Sequence, residues 1–178
     1  MLWDESVTFK LPKVDKMRSI LISLLWFGLF SCQATPESSD QSKDLIGLVT
    51  AQQFLQSNPT FAENYRAYQP SQNELNAAKA LKGKSLTVLF GTWCHDSQRE
   101  VPRLLKVLDM ADSQLTDLTL IAVNHNKQEP SGIYKTLGLR YTPTFVLFDD
   151  STELGRVIEK PQLSLGEDLA KLLPPIMP

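Results

Sequence analysis

The chain has 178 residues, 42% of them hydrophobic: enough to bury a core without disulfide staples, and about one domain plus a terminal segment. With 18 basic and 20 acidic residues the net charge is −2, and no Lys/Arg run with interleaved aromatics occurs, so nothing points to nucleic acid. The only cysteines, Cys32 and Cys94, exclude a disulfide framework or a four-cysteine zinc site, and the two histidines, His95 and His125, stand far apart without a carboxylate cluster, so no metal and no cofactor is expected.

Residues 1–16 are charged and aperiodic. Met17-Arg18 then opens a basic start to an apolar run over 20–30, of signal-peptide length and too short to span a bilayer comfortably. It ends in Leu29-Phe30-Ser31-Cys32, which resembles the bacterial lipobox, where cleavage precedes a cysteine that is then lipid-modified. Residues 1–32 therefore read as a lipoprotein leader, with Met17 the expected true start, 1–16 an over-extension, and Cys32 the lipid attachment site. The alternative is a buried helix or an uncleaved anchor with Cys32 an ordinary thiol. Residues 33–43 are polar, without apolar periodicity, and read as a flexible tether that lets a folded domain (44–178) stand off the bilayer. Gln33 after the cysteine, in place of aspartate, resembles outer-membrane rather than inner-membrane lipoproteins, with the domain facing the periplasm.

Residues 45–49 suggest a short first strand. Thr50-x-x-Gln53 has capping-box spacing, Asn58-Pro59 interrupts the helix it opens, and 61–68 forms a second, aromatic-rich helical stretch. Phe61, Tyr65 and Tyr68 fall at i, i+4 and i+7, a core stripe rather than a ligand box. Ser71-x-x-Glu74 is another capping signal, opening a helix over 75–81.

Val88-Leu89-Phe90 is a continuous apolar run, as in a strand covered on both faces, and Gly91 breaks it. From 98 to 109 the spacing turns helical, with Val101, Leu104, Leu105 and Leu108 on one face. Cys94 stands at this junction, where helix N–H groups lack partners and the dipole is positive, a setting that favours a thiolate. The rest follows as a strand over 118–123, a polar loop over 124–131, a short helix over 133–137 stopped by Gly138, a strand over 144–148, a turn over 149–152 and a return strand over 154–159. Ser164-x-x-Glu167 starts a last helix that Pro174-Pro175 stops. The order is β-α-β-α-β-α-β-β-α. Crossover helices imply parallel pairs and the tight turn an antiparallel pair at the end.

Trp93-Cys94-His95-Asp96-Ser97 resembles the Trp-Cys-x-x-Cys motif of the thioredoxin superfamily with serine in place of the second cysteine, and Tyr141-Thr142-Pro143-Thr144-Phe145 resembles that family's cis-proline loop. Both motifs stand at family spacing, and the resemblance covers residues 45–173. It implies an α/β thioredoxin-like fold, a central mixed sheet flanked by helices, here with an N-terminal helical extension. It also implies that Cys94 is the nucleophile, that the Thr142-Pro143 bond is cis, and that Thr142 pairs with an extended substrate chain, with Trp93 and His95 beside it.

On its own chemistry Cys94 is either this nucleophile or a buried inert thiol at a strand end. Ser97, one helical turn on, is positioned to donate a hydrogen bond to the sulfur or to act as a plain N-cap, and it cannot expel a bound substrate as a second thiol would. A mixed disulfide on Cys94 must then be resolved by glutathione or another protein thiol. His95 favours the thiolate and Asp96 disfavours it. Arg99, Glu100 and His125 read as solvated, without a role. The function these readings support is a monothiol thiol–disulfide oxidoreductase or isomerase of the cell envelope. The alternative is a redox-inactive module that docks extended peptides on Trp93, Thr142 and Pro143. The peroxiredoxin pattern does not fit, with Thr87 and Gly91 ahead of the cysteine, and no paired-glycine glutathione site follows Pro143 as in glutaredoxins.

Overall fold

A computed structural model describes residues 45–175. The expected leader, the expected lipid attachment site Cys32 and the expected tether lie outside the described residues. In chain order the elements are β1 (Gly47–Val49), α1 (Ala51–Ser57), α2 (Pro59–Ala67), α3 (Gln72–Lys79), β2 (Ser85–Phe90), α4 (His95–Ala111), β3 (Asp117–Ala122), α5 (Ile133–Thr136), β4 (Thr144–Asp149), β5 (Thr152–Ile158) and α6 (Leu165–Ala170). Three helices start where a hydroxyl meets the backbone N–H three residues on: Thr50 accepts from Gln53, Ser71 from Glu74 and Ser164 from Glu167. Asn58 closes α1 and opens α2, with Pro59 as the first helical residue.

The five strands form one sheet in the order β1-β3-β2-β4-β5. β2 runs parallel to β3 and antiparallel to β4, and β5 returns antiparallel along β4. Helix length explains these directions. The 17 residues of α4 rise about 25 Å, enough to carry the chain back along a six-residue strand of about 20 Å, so β3 starts level with β2. The four residues of α5 rise only about 6 Å and cannot return the chain, so β4 runs the other way. The expectation that crossover helices give parallel pairs therefore holds for α4 alone. It fails for β1, which lies at the sheet edge antiparallel to β3, Gly47 opposite Ala122 and Val49 opposite Leu120. The link from β1 to β2 is broken into three helices, so it does not act as the single return that a parallel pair requires.

Val88, Leu89 and Phe90 are all fully buried, because β2 is covered on both faces. Val88 and Phe90 face the larger core, where Phe90 and Phe61 both meet Phe54 edge-on at 4.8 and 4.4 Å. Leu89 joins Ile121 and Val146 on the opposite face, under Ile133, Tyr134, Leu137 and Leu139. Of the aromatic stripe, Phe61 enters the core, while Tyr65 and Tyr68 lie along α4, their rings under Lys106 and Arg103.

Pro102 sits inside α4 and has no N–H to give to the carbonyl of Gln98. That carbonyl instead accepts from Nδ2 of Asn64 on α2, at 2.8 Å. The helix that carries Cys94 is thus fastened to α2 near its first turn.

Candidate active site at the start of the long helix

The site forms where β2 ends. Val123, just past β3, donates its N–H to the Phe90 carbonyl at 2.8 Å, and Gly91 then turns the chain. The Gly91 carbonyl accepts from the Cys94 N–H at 3.0 Å, closing a tight turn over 91–94, and the Cys94 carbonyl accepts from Gln98 to begin the helix. Cys94 is the N-cap of α4, and its side chain makes no capping bond. The sulfur is free for another partner: its S–H donates to the Thr142 carbonyl at 3.1 Å. Cys94 is half-buried, unbridged, and the only cysteine among the described residues.

Thr142 is buried and the Thr142-Pro143 peptide bond is cis. The loop is held at both ends, because Thr144 Oγ1 donates to the Tyr141 carbonyl at 2.7 Å and the Glu159 N–H donates to the Pro143 carbonyl at 2.7 Å. Two stretches 48 residues apart, Trp93-Cys94 and Thr142-Pro143, therefore meet at the sulfur. His95 is exposed at the first position of the helix.

Ser97 is held against the turn that precedes the helix. It is fully buried, and its hydroxyl accepts the Gly91 N–H at 3.3 Å, whereas the sulfur's hydrogen bond goes to Thr142. Nor is Ser97 the N-cap, since the helix starts at Cys94. One turn into α4 the side chain points beneath the helix toward the end of β2, so serine here braces the turn that presents the thiol.

Asp96 is engaged by Arg99 at 2.8 Å. Arg99 also grips Glu100, and that hydrogen bond holds its guanidinium above its ordinary range despite partial burial. Glu100, expected to be solvated, is only 3% exposed and lies between Arg99 and Arg103. The helical stripe signalled this: Glu100 precedes Leu104 by one turn and adjoins Val101 on the buried face. Arg99 matters here as well, since it covers the negative charge in the motif.

His125, also expected to be solvated and without a role, lies over Trp93. The ring centroids are 4.6 Å apart and the planes 20° from parallel. Trp93 Nε1 donates to the Val123 carbonyl at 3.2 Å, and the underside of the indole rests on Gly91, where a Cβ would come within 2.5–2.8 Å of three ring atoms. No sequence signal pairs residues 93 and 125.

No protein-family model matches this chain, and no curated protein resembles it in sequence. Among solved structures it is similar to a Pseudomonas aeruginosa protein of unknown function, at 18% identity and a TM-score of 0.46 over 66% of this chain and 69% of the other. It is also similar to a chain solved for the thiol-resolving mechanism of yeast mitochondrial 1-Cys peroxiredoxin, at 24% identity, with a TM-score of 0.36 over 53% and 85% of the two chains. Oxidised mitochondrial thioredoxin 3 of Saccharomyces cerevisiae gives 20% identity and a TM-score of 0.34 over 53% and 86%. The strand order around β2, the parallel β2–β3 pair joined by α4, and the antiparallel β4–β5 return are this chain's own features. The fold is thioredoxin-like.

Proposed function

We propose that the protein is a monothiol thiol–disulfide oxidoreductase or isomerase that acts on protein disulfides through Cys94. The observation that carries this reading is the meeting of a half-exposed, unbridged cysteine at the start of α4 with the carbonyl of Thr142 beside cis-Pro143. The Cys94 thiolate attacks one sulfur of a substrate disulfide, a new S–S bond forms, and the other substrate sulfur leaves with the electron pair. The Cys94 proton passes to solvent. With Ser97 buried and bonded to Gly91, the mixed disulfide is resolved by a thiol from outside, either glutathione, a protein thiol or a second cysteine of the substrate. That thiol is oxidised as Cys94 is released. Trp93, His95, Thr142 and Pro143 supply the surface on which the substrate chain lies.

The lipobox-like leader extends the proposal to location, with the domain tethered through lipid on Cys32 to the outer membrane and facing the periplasm, where disulfides form and need correction. Intact-mass measurement of membrane-extracted protein checks this, because an unmodified Cys32 would refute the anchor.

The test of the chemistry is trapping. Cells expressing the full chain are quenched in acid and alkylated, and mixed disulfides are read on non-reducing gels. Adducts with envelope proteins that disappear in Cys94→Ala are expected, a loss to below detection. A second reading, a redox-inactive docking module, draws on Tyr141 and Ile158, which are 53% and 45% exposed beside the cis-proline loop and offer apolar surface without chemistry. Absence of adducts, with partner binding unchanged in Cys94→Ser, would favour it.

A further inference from the structure

We propose that His125 is a positioning residue of this site: stacked on Trp93, it fixes the indole as the wall along which an extended substrate chain lies when its sulfur meets Cys94. The inference rests on the exchange reading for the identity of the substrate, and on separate geometry for the role of the histidine.

Trp93 is held from three directions. Beneath it is Gly91, whose lack of a side chain admits the ring to a distance that any Cβ would block. At its edge the indole N–H is bonded to the Val123 carbonyl. Across its outer face lies His125, with planes 20° apart. The first two restraints belong to the backbone. The glycine contact limits how deep the ring sits, and the N–H bond anchors one edge. Neither prevents the ring from swinging outward about that edge. The stack with His125 opposes that swing, and it is supplied by a side chain.

The two residues also stand at the right place to act on a substrate. Trp93 immediately precedes Cys94, and the turn whose carbonyl accepts the Cys94 N–H is the same Gly91 on which the indole rests. A swing of the indole therefore changes the surface next to the sulfur. His125 is exposed, so a bound chain reaching past Trp93 meets the imidazole next. The role requires a flat ring and no proton transfer, which separates it from general acid–base action.

The experiment uses the full chain carrying Cys32→Ser, Trp3→Phe and Trp26→Phe, so that Cys94 is the sole thiol and Trp93 the sole tryptophan. The substrate is a short peptide whose cysteine is disulfide-bonded to 2-nitro-5-thiobenzoate. Cys94 attacks the peptide sulfur, the Cys94–peptide disulfide forms, and the coloured thiolate leaves with the electron pair. In His125→Ala the half-saturating peptide concentration is expected to rise about three- to tenfold, the range of one aromatic contact. The maximal single-turnover rate and the rate of alkylation by iodoacetamide should stay within about twofold, and Trp93 emission should shift and lose anisotropy. His125→Phe should restore both the half-saturating concentration and the emission.

An alanine variant that leaves the emission and half-saturation unchanged overturns the proposal, as does a phenylalanine variant that rescues neither. If no variant reacts with the peptide while iodoacetamide still labels Cys94, the exchange reading fails. The emission then decides the positioning role alone: recovery in His125→Phe upholds it, and indifference to His125→Ala ends it.

Discussion

β2 and β3 lie side by side in parallel, and the chain leaves both at the same end of the sheet, yet the two exits are built in opposite ways. After β2 the backbone turns on Gly91 and enters a long helix at Cys94, with no side-chain cap and a half-exposed thiol facing the cis-proline loop. After β3 the chain passes through the polar stretch 124–131 and enters a four-residue helix whose surroundings are filled by a carboxylate. Glu129, 6% exposed, accepts from both the N–H and the hydroxyl of Ser131 and from the N–H of Tyr134 at 3.2 Å. One exit gives its backbone donors to an internal acid, and the other turns its leading side chain to the cis-proline loop. The same position in a sheet thus yields a closed corner or an open one, according to whether the side chain there turns inward to cap or outward to meet another loop.

Three substitutions would break or sharpen this contrast. The largest effect is expected from Gly91→Val, which crowds the open exit: its Cβ must displace an indole already pinned by Val123 and His125. A loss of about 2–3 kcal/mol in urea unfolding, together with altered Trp93 fluorescence, is the expected outcome. Next comes Glu129→Gln, which weakens the filled exit by about 1–2 kcal/mol at neutral pH through the loss of charged hydrogen bonds. Burial pushes the Glu129 carboxyl up, but the hydrogen bonds from Ser131, Tyr134 and Ile133 outweigh it and hold the group below the usual carboxylate range. With the folded-state value lowered, the unfolded chain binds the proton first. This contribution is therefore complete above the ordinary carboxylate range and is lost as the pH falls toward the folded-state value. Stability measured between pH 7 and pH 3 should fall less steeply in Glu129→Gln than in the parent. The smallest effect, about 1 kcal/mol, is expected from Asn64→Ala, which leaves the Gln98 carbonyl without its donor but keeps the hydrogen bonds of the 91–94 turn. Thermal unfolding reads it, and alkylation of Cys94 should be nearly unchanged.

The elements were legible in the sequence where local chemistry decides them. Three hydroxyls with Glu or Gln three residues on marked three helix starts, Asn58-Pro59 marked the break between α1 and α2, and Val88-Leu89-Phe90 announced a strand buried on both faces. Strand direction was less legible, because it depends on how far a connection can carry the chain: the patterning marked the helix over 133–137 as short, but not that β4 must therefore run against β2, nor that β1 pairs at the edge. At the site, the two motifs pointed to Cys94, Thr142 and Pro143, which meet in space. The parts that were missed are set by tertiary packing: which side chains of α4 face inward, and which strand ends are neighbours. Ser97 turned to Gly91 because its face of α4 is buried, Glu100 was hidden by its charge although its helical phase was right, and His125 reaches Trp93 only because β2 and β3 are neighbours.

The bond from Asn64 to Gln98 ties the history of two distant positions together. So long as residue 102 is proline, the carbonyl of Gln98 requires a donor from α2, and position 64 is limited to side chains that reach it. A substitution at 102 that brings back a backbone N–H would let α4 supply that bond itself and release position 64 to drift. Among descendants of this chain, residues 64 and 102 are therefore expected to change as a pair, with the loss of proline coming first.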